Sequence, residues 1–225
     1  MIALDHIDKD EAARYMGVRD VPADNIAVLL ERCEKRVLDV IRPNYVYREV
    51  TLEQTDKGIR AEGMNELLTG SDIASHLNGC TKAVIFAATL SGEADKLIRQ
   101  AAVTDVAESF AIDCLCSAAV EQVCDKAEEE IFAAINAPYR TWRFSPGYGD
   151  LPLGIQGSLL RLLNAQRRIG LTVTDSMLLI PSKSVTAIIG ISDSPVARGK
   201  RGCGSCNMRE NCAYRRGGST CKVRT

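Results

Sequence analysis

Apolar positions recur at helical spacing along most of this chain and change to alternation in a few short stretches, and those changes mark the elements. Asp8 stands where a helix cap belongs, ahead of Ala12, Ala13, Tyr15 and Met16, and Gly17 closes this first short helix. Pro22-Ala23-Asp24 opens a second helix, in which Leu29, Leu30, Cys33, Val37, Val40 and Ile41 share one face until Pro43 stops it. Tyr45 to Leu52 then alternates and is rich in β-branched and aromatic residues; with a turn at Asp56-Lys57-Gly58 and a partner at Ile59 to Ala61 it predicts a hairpin. Ser71-Asp72 begins a short helix through Leu77, and Lys82 to Leu90 reads as a buried strand from its run Ala83-Val84-Ile85-Phe86-Ala87-Ala88.

Ser91-Gly92-Glu93 opens the next helix, and from about Thr104 no proline interrupts the chain until Pro138. Val106 to Val123 is apolar on most sides, which places this helix at the centre of the core. Two acids stand out on it, Glu108 and Asp113. A buried carboxylate needs a partner, so each either meets a cation, with Arg143 or a bound ammonium group as candidates for Glu108, or faces water on a narrow polar stripe. Cys33, Cys114, Cys116 and Cys124 lie on apolar faces and read as packing residues. His6 and His76 have no cysteine or second histidine at ligand spacing and read as surface or capping residues. Further on, Ile155, Leu159, Leu162, Leu163 and Ile169 define an amphipathic helix ending at Gly170, and Val185 to Ile191 alternates as a strand. Hairpin-linked strands interspersed with helices, outside strict βαβ order, predict an α+β fold with helices packed around an antiparallel or mixed sheet.

With 225 residues, 46% hydrophobic and 25% charged, the chain has material for one sizeable core and a small appendage. The sequence opens Met1-Ile2-Ala3-Leu4-Asp5-His6, acidic where a secretory signal needs base, and no apolar run reaches the ~20 residues of a spanning helix, so a cytoplasmic protein away from membranes is expected. The net charge of −1 conceals a split. From residue 198 to 225 eight basic residues face one acid, Glu210, aliphatics nearly vanish, and four of the nine cysteines gather. The sequence therefore divides into a body over 1–197 and a basic cysteine-rich tail over 198–225.

In the tail, Cys203-x2-Cys206-x5-Cys212-x8-Cys221 is a metal-site pattern, because so polar a segment needs a metal or cluster to hold a fold. Only the first pair has the tight spacing of a zinc knuckle, and thiolates at irregular spacing among arginines suit an iron–sulfur cluster, with zinc as the alternative. The same charge admits a nucleic-acid-binding reading, against which stand the lone aromatic Tyr214 and the want of a recognition helix.

The stretch most like a binding site is Arg143-Phe144-Ser145-Pro146-Gly147-Tyr148-Gly149-Asp150. Its glycines and proline make a rigid turn whose backbone can approach a ligand. Arg143 offers a planar fork for a carboxylate or phosphate and Tyr148 a stacking face, unless the arginine merely pairs with a helix carboxylate and the tyrosine plugs a turn.

Arg143-x-x-x-Gly147-Tyr148, then Arg167-Arg168-Ile169-Gly170-Leu171, Thr174-Asp175-Ser176 and Pro181-x-x-Ser184-Val185, resemble in order the S-adenosylmethionine-binding activation domain of cobalamin-dependent methionine synthase. Ala107-Glu108-Ser109-Phe110-Ala111 resembles the segment in which that family carries a ligand-contacting glutamate, and the likeness spans about residues 100 to 192. The resemblance implies that Arg143 grips the carboxylate of S-adenosylmethionine, Glu108 meets its cationic end, and Ser145, Pro146, Gly147 and Tyr148 hold the adenosine. It implies a part in methionine synthase, a methyltransferase activity: the bound methyl donor remethylates cob(II)alamin while a reductant supplies one electron. Cobalamin would sit on a cobalamin-binding methyltransferase module of a separate chain, with flavodoxin or ferredoxin as candidate donors and the cysteine tail as a built-in relay. The competing expectation is a non-catalytic, zinc-stabilised binding module. The family's late ligand-contacting tyrosine, expected near Ser194 to Ala197, has no aromatic counterpart here.

Overall fold

The structure is a computed structural model that describes residues 2–18, 23–135 and 137–196. Its elements run α1 (Lys9–Tyr15), α2 (Asp24–Val40), β1 (Asn44–Thr55), β2 (Gly58–Ala61), α3 (Ser71–His76), β3 (Lys82–Thr89), α4 (Gly92–Thr104), α5 (Val106–Ile135), β4 (Tyr139–Arg140), a 3-10 turn (Leu153–Ile155), α6 (Gln156–Leu163), α7 (Ala165–Ile169), β5 (Thr172–Val173), β6 (Leu179–Ile180) and β7 (Ser184–Ser192).

A five-stranded sheet has the order β2-β1-β3-β7-β4, and β5 and β6 form a separate two-stranded ribbon. The predicted hairpin is present: β1 and β2 are antiparallel, with Thr55 opposite Gly58 and Leu52 opposite Ala61. Arg42 N–H donates to Leu90 O at 3.0 Å and Leu52 N–H to Thr81 O at 2.9 Å, so β3 descends as β1 climbs. Thr81 bonded to Ile191 and Leu90 bonded to Lys183 give the same relation between β3 and β7. β4 is antiparallel to β7 as well, with Tyr139 opposite Ser192. The sheet is therefore antiparallel throughout, and the α+β expectation holds. β3 is its middle strand, buried at every residue after Lys82, which is why its sequence is an unbroken apolar run rather than an alternation.

The chain divides into two compact units. One takes the described residues up to Tyr47, the stretch from Phe86 through α5, and Leu160–Thr186; the other takes Arg48–Ile85, Ala137–Leu159 and, among the described residues, the chain from Ala187.

The first unit is organised on α5, whose 30 residues make a rod of about 45 Å. Small residues, Ala111, Cys114, Ala118, Ala119, Cys124 and Ala127, are buried along it and let neighbouring helices approach closely. Cys33 on α2 is buried too, so the expectation that Cys33, Cys114, Cys116 and Cys124 pack the interior is met. Burial in apolar surroundings pushes the Cys114 thiol up to about 11 and the Cys116 thiol up to about 12. The helical run predicted from Thr104 breaks at Asp105, whose carboxylate accepts from Ala107 N–H at 2.9 Å and Glu108 N–H at 3.1 Å and so starts α5 as a new helix. Asp8 caps α1 as expected, accepting from Glu11 N–H at 2.9 Å. The N-terminal segment is tied to α2 by Glu34, which accepts from Ile7 N–H and Lys9 Nζ, each at 2.6 Å. Burial pushes the Glu34 carboxyl up, but those two bonds outweigh it and the net displacement is downward.

The helix predicted from Ile155 to Gly170 is two helices. Asn164 adopts φ 50°, a left-handed conformation that asparagine tolerates better than most residues, and separates α6 from α7. Among the described residues no helix is long and apolar enough to cross a membrane. The tail from 198 on, with Cys203, Cys206, Cys212 and Cys221, lies outside the described residues.

Candidate functional site

The glycine-rich loop lies in the second unit, and its shape follows from its sequence. Phe144 exchanges backbone hydrogen bonds with Ile188 of β7, at 3.0 and 2.8 Å, and so anchors the loop to the sheet. Immediately after it, Tyr148 N–H donates to Ser145 O at 3.0 Å, closing a four-residue turn with Pro146 second and Gly147 third, the latter at φ 81°. Proline followed by a positive-φ glycine is the signature of a type II turn. Leu151 N–H returns to Tyr148 O at 3.1 Å and Gly147 N–H donates to Leu151 O at 2.9 Å, so a second turn through Gly149 locks the first. Ser145, Pro146, Gly147 and Tyr148 thus share one tight double turn, with Tyr148 57% exposed, and Arg143 lies two residues ahead of it, before the sheet-anchored Phe144.

Four rings support this turn. Trp142 and Phe144, on either side of Arg143, lie 5.4 Å apart between centroids, and Tyr148 stands edge-on to both, at 6.3 and 6.1 Å. His76 completes the cluster, 4.6 Å from Trp142 and 4.9 Å from Phe144. Here the sequence expectation is corrected: His76 is neither a surface nor a capping residue but is buried, with Nε2 2.8 Å from Thr141 Oγ1. Thr141 Oγ1 also accepts from Gly190 N–H at 2.8 Å, which fastens the same assembly to β7.

Asp150 ends the loop and caps α3 from a distance. Its carboxylate accepts from Ser71 N–H at 2.5 Å, Ser71 Oγ at 2.8 Å and Asp72 N–H at 3.0 Å. The Ser71 hydroxyl, followed by these amide bonds, holds the Asp150 carboxyl below the ordinary aspartate value. Asp72 in turn lies against Gly149: a Cβ there would stand 2.9 Å from Asp72 Cβ and Cγ.

Glu108 belongs to the first unit. It occupies the first turn of α5, where a negative charge meets the positive end of the helix dipole, and its carboxylate pairs with Arg32 Nη2 at 3.2 Å and with Arg36. The partner sought for it in Arg143 is supplied within its own unit by two guanidiniums of α2. Asp113 likewise has a partner, Lys183 Nζ at 2.8 Å, which also reaches Ser117 Oγ at 2.9 Å.

Sequence reasoning missed Trp142, His76, Thr141 and the capping role of Asp150. Trp142 carried a signal, being the only tryptophan of the chain and adjacent to Arg143. His76 carried none, since its partner is 65 residues away. A cavity of about 220 Å³ in the same unit is lined by Ala137, Pro138, Tyr139, Arg140, Pro195 and Val196, and by no residue of the turn. No group of three or more His, Cys, Asp or Glu set to hold a metal ion occurs among the described residues.

Comparison with known proteins gives one family and one fold. The family described as vitamin B12 dependent methionine synthase, activation domain, matches residues 80–196. Among solved structures, that of the MetH reactivation domain bound to AdoHcy matches with a TM-score of 0.60 and 16% identity, covering 92% of this chain and 76% of that one. At that identity the likeness is one of fold. No curated protein matches.

Proposed function

The chain belongs to the vitamin B12 dependent methionine synthase activation domain family, and from that premise we propose that it binds S-adenosylmethionine and supports reductive remethylation of cob(II)alamin on a cobalamin-binding methyltransferase module. The observation that carries the reading is the turn after Arg143: Ser145-Pro146-Gly147-Tyr148 is locked by two further backbone bonds and presents a half-exposed tyrosine ring five residues after the arginine in the chain. A methyl donor of this kind has a carboxylate for a planar fork and an adenine for an aromatic face and backbone groups, which is the complement of that turn. The solved structure of like fold was determined with AdoHcy bound, which supports a ligand of that class for this fold.

In this proposal Arg143 takes the ligand carboxylate, and Ser145, Pro146, Gly147 and Tyr148 form the adenosine seat. Glu108 enters by resemblance as the contact for the cationic end of the ligand; its carboxylate is shared with Arg32 and Arg36, so Glu108→Gln is the variant that tests this role. Calorimetry with S-adenosylmethionine decides the main point. Loss of a charge-assisted contact of about 1.5–3 kcal/mol lowers affinity by about 10- to 150-fold in Arg143→Ala, and Arg143→Lys recovers little because an ammonium lacks the fork. Unchanged affinity in Arg143→Ala refutes the assignment.

The tail enters from sequence alone. Cys203, Cys206, Cys212 and Cys221 would hold an iron–sulfur cluster, with zinc as the alternative, and a cluster would supply low-potential one-electron chemistry to the activation step. Flavodoxin or ferredoxin would be the upstream donor, the domain boundary falls at 197/198, and the cytoplasm is the proposed site of action. Metal analysis and spectra of anaerobically reconstituted protein test this; zinc, or no paramagnetic signal on reduction, removes the relay.

A further inference from the structure

The loop that carries Arg143 and Tyr148 is fastened from behind by α3, a helix of six residues attached at both ends. At its start, the backbone N–H groups of Ser71 and Asp72 are bound by Asp150, the last residue of the loop. At its end, His76 bonds to Thr141 and lays its ring against Trp142 and Phe144, the two neighbours of Arg143 in the chain. Those two rings in turn face Tyr148 edge-on. One imidazole therefore touches the residue before Arg143 and the residue after it, and meets Tyr148 through both. A buried apolar residue of similar volume fills the space and loses the bond to Thr141; a polar one keeps the bond and loses the ring contacts. Histidine supplies both at once.

We propose that His76 is a positioning residue of the binding loop: it touches no ligand, and through Trp142 and Phe144 it sets the direction in which Arg143 and Tyr148 are presented. This rests on the ligand reading above for its affinity readout and stands apart from it for its structural one. Because Trp142 is the only tryptophan, its near-ultraviolet circular dichroism reports the stance of the loop with no ligand present.

The test compares the full chain with His76→Ala, His76→Gln, His76→Phe and Arg143→Ala. Expected for His76→Ala are a far-ultraviolet spectrum like that of the parent, loss of the tryptophan fine structure, and affinity for S-adenosylmethionine weaker by about tenfold or more, as a misaligned contact gives. His76→Gln and His76→Phe each restore part of the signal. Combined with Arg143→Ala, the His76→Ala change costs less affinity than it does alone, because the part that acts through Arg143 is already lost and only the part through Tyr148 remains. An unchanged tryptophan signal, or a full additional loss on top of Arg143→Ala, overturns the proposal. Should His76→Ala fail to fold, Thr141→Val breaks the same bond from the other side, and an unchanged spectrum there overturns it equally. If the parent protein binds no S-adenosylmethionine, the ligand reading fails by itself, and the tryptophan signal of the variants alone decides the role of His76.

Discussion

Replacing each glycine of the double turn by alanine separates two physical costs that the structure assigns differently. At Gly147, φ is 81°, and a Cβ would meet Leu153 Cδ1 at 3.4 Å, an ordinary contact. The penalty in Gly147→Ala is then the positive φ alone, about 1–2 kcal/mol. At Gly149, φ is 53°, and the new Cβ would stand 2.9 Å from Asp72 Cβ and Cγ, with the carboxylate oxygen closer still. Asp72 has little room to retreat, because its N–H is bound to Asp150 at 3.0 Å. Overpacking of about 1–3 kcal/mol is added to the φ penalty, so Gly149→Ala destabilises by about 2–5 kcal/mol in total. Urea unfolding followed by Trp142 fluorescence measures both variants, with the slope checked for constancy. In an Asp72→Gly background the close atoms are gone, and the cost of Gly149→Ala falls to the level of Gly147→Ala. The reasoning is refuted if Gly147→Ala is the more damaging change, or if Asp72→Gly leaves the cost of Gly149→Ala untouched.

Three further outcomes follow from particular contacts. Asp113→Ala leaves Lys183, only 12% exposed, held by the Ser117 hydroxyl without its carboxylate and destabilises by about 1–2 kcal/mol, whereas Lys183→Met, which leaves the 44%-exposed Asp113 to water, costs less; thermal unfolding of the pair checks the order. Because the folded Asp150 carboxyl lies below its ordinary 3.8, its stabilising contribution is fully present above that value and is lost as pH falls through the folded value; an acid titration of the Trp142 signal should show this step, and Asp150→Asn should abolish it. With burial holding the thiols of Cys114 and Cys116 near 11 and 12, iodoacetamide at about pH 8 should leave both unlabelled in the native protein and modify both after denaturation, as read by peptide mass spectrometry; native labelling of either contradicts their placement.

What was legible in the sequence is what local chemistry determines. The hairpin at 45–61 came from alternation and a two-residue turn, and the cap at Asp8 and the stop at Gly17 came from single residues with strong local preferences. The buried strand at 82–90 was readable because a central strand loses its polar face. Where local preference is weak, periodicity alone does not fix the element boundaries. Nothing in the periodicity of Ile155 to Ile169 distinguishes one helix from two, because the break rests on the left-handed backbone of one asparagine, Asn164. Inside a long helical run an aspartate such as Asp105 is equally a helix surface residue, and only the two amides bound to it show it to be a cap.

The candidate site divides along the same line, and the division bears on mechanism. The turn itself is written in Pro146, Gly147 and Gly149, so its shape follows from local preference. Its orientation is not local: it depends on Ile188 pairing with Phe144, on Asp150 reaching α3 across 78 and 79 residues of sequence, and on His76 reaching Thr141 across 65. A loop with a preferred shape and remote attachments can keep its turn while changing its direction, which a loop held only by its own turns cannot. Substitutions at the attachments should therefore alter ligand affinity without unfolding the turn, whereas substitutions at Gly149 should do both. Comparing affinity against stability for the parent, His76→Gln and Gly149→Ala measures that difference directly: if all three fall on one line, the attachments act only through stability, and orientation has no separate part in binding.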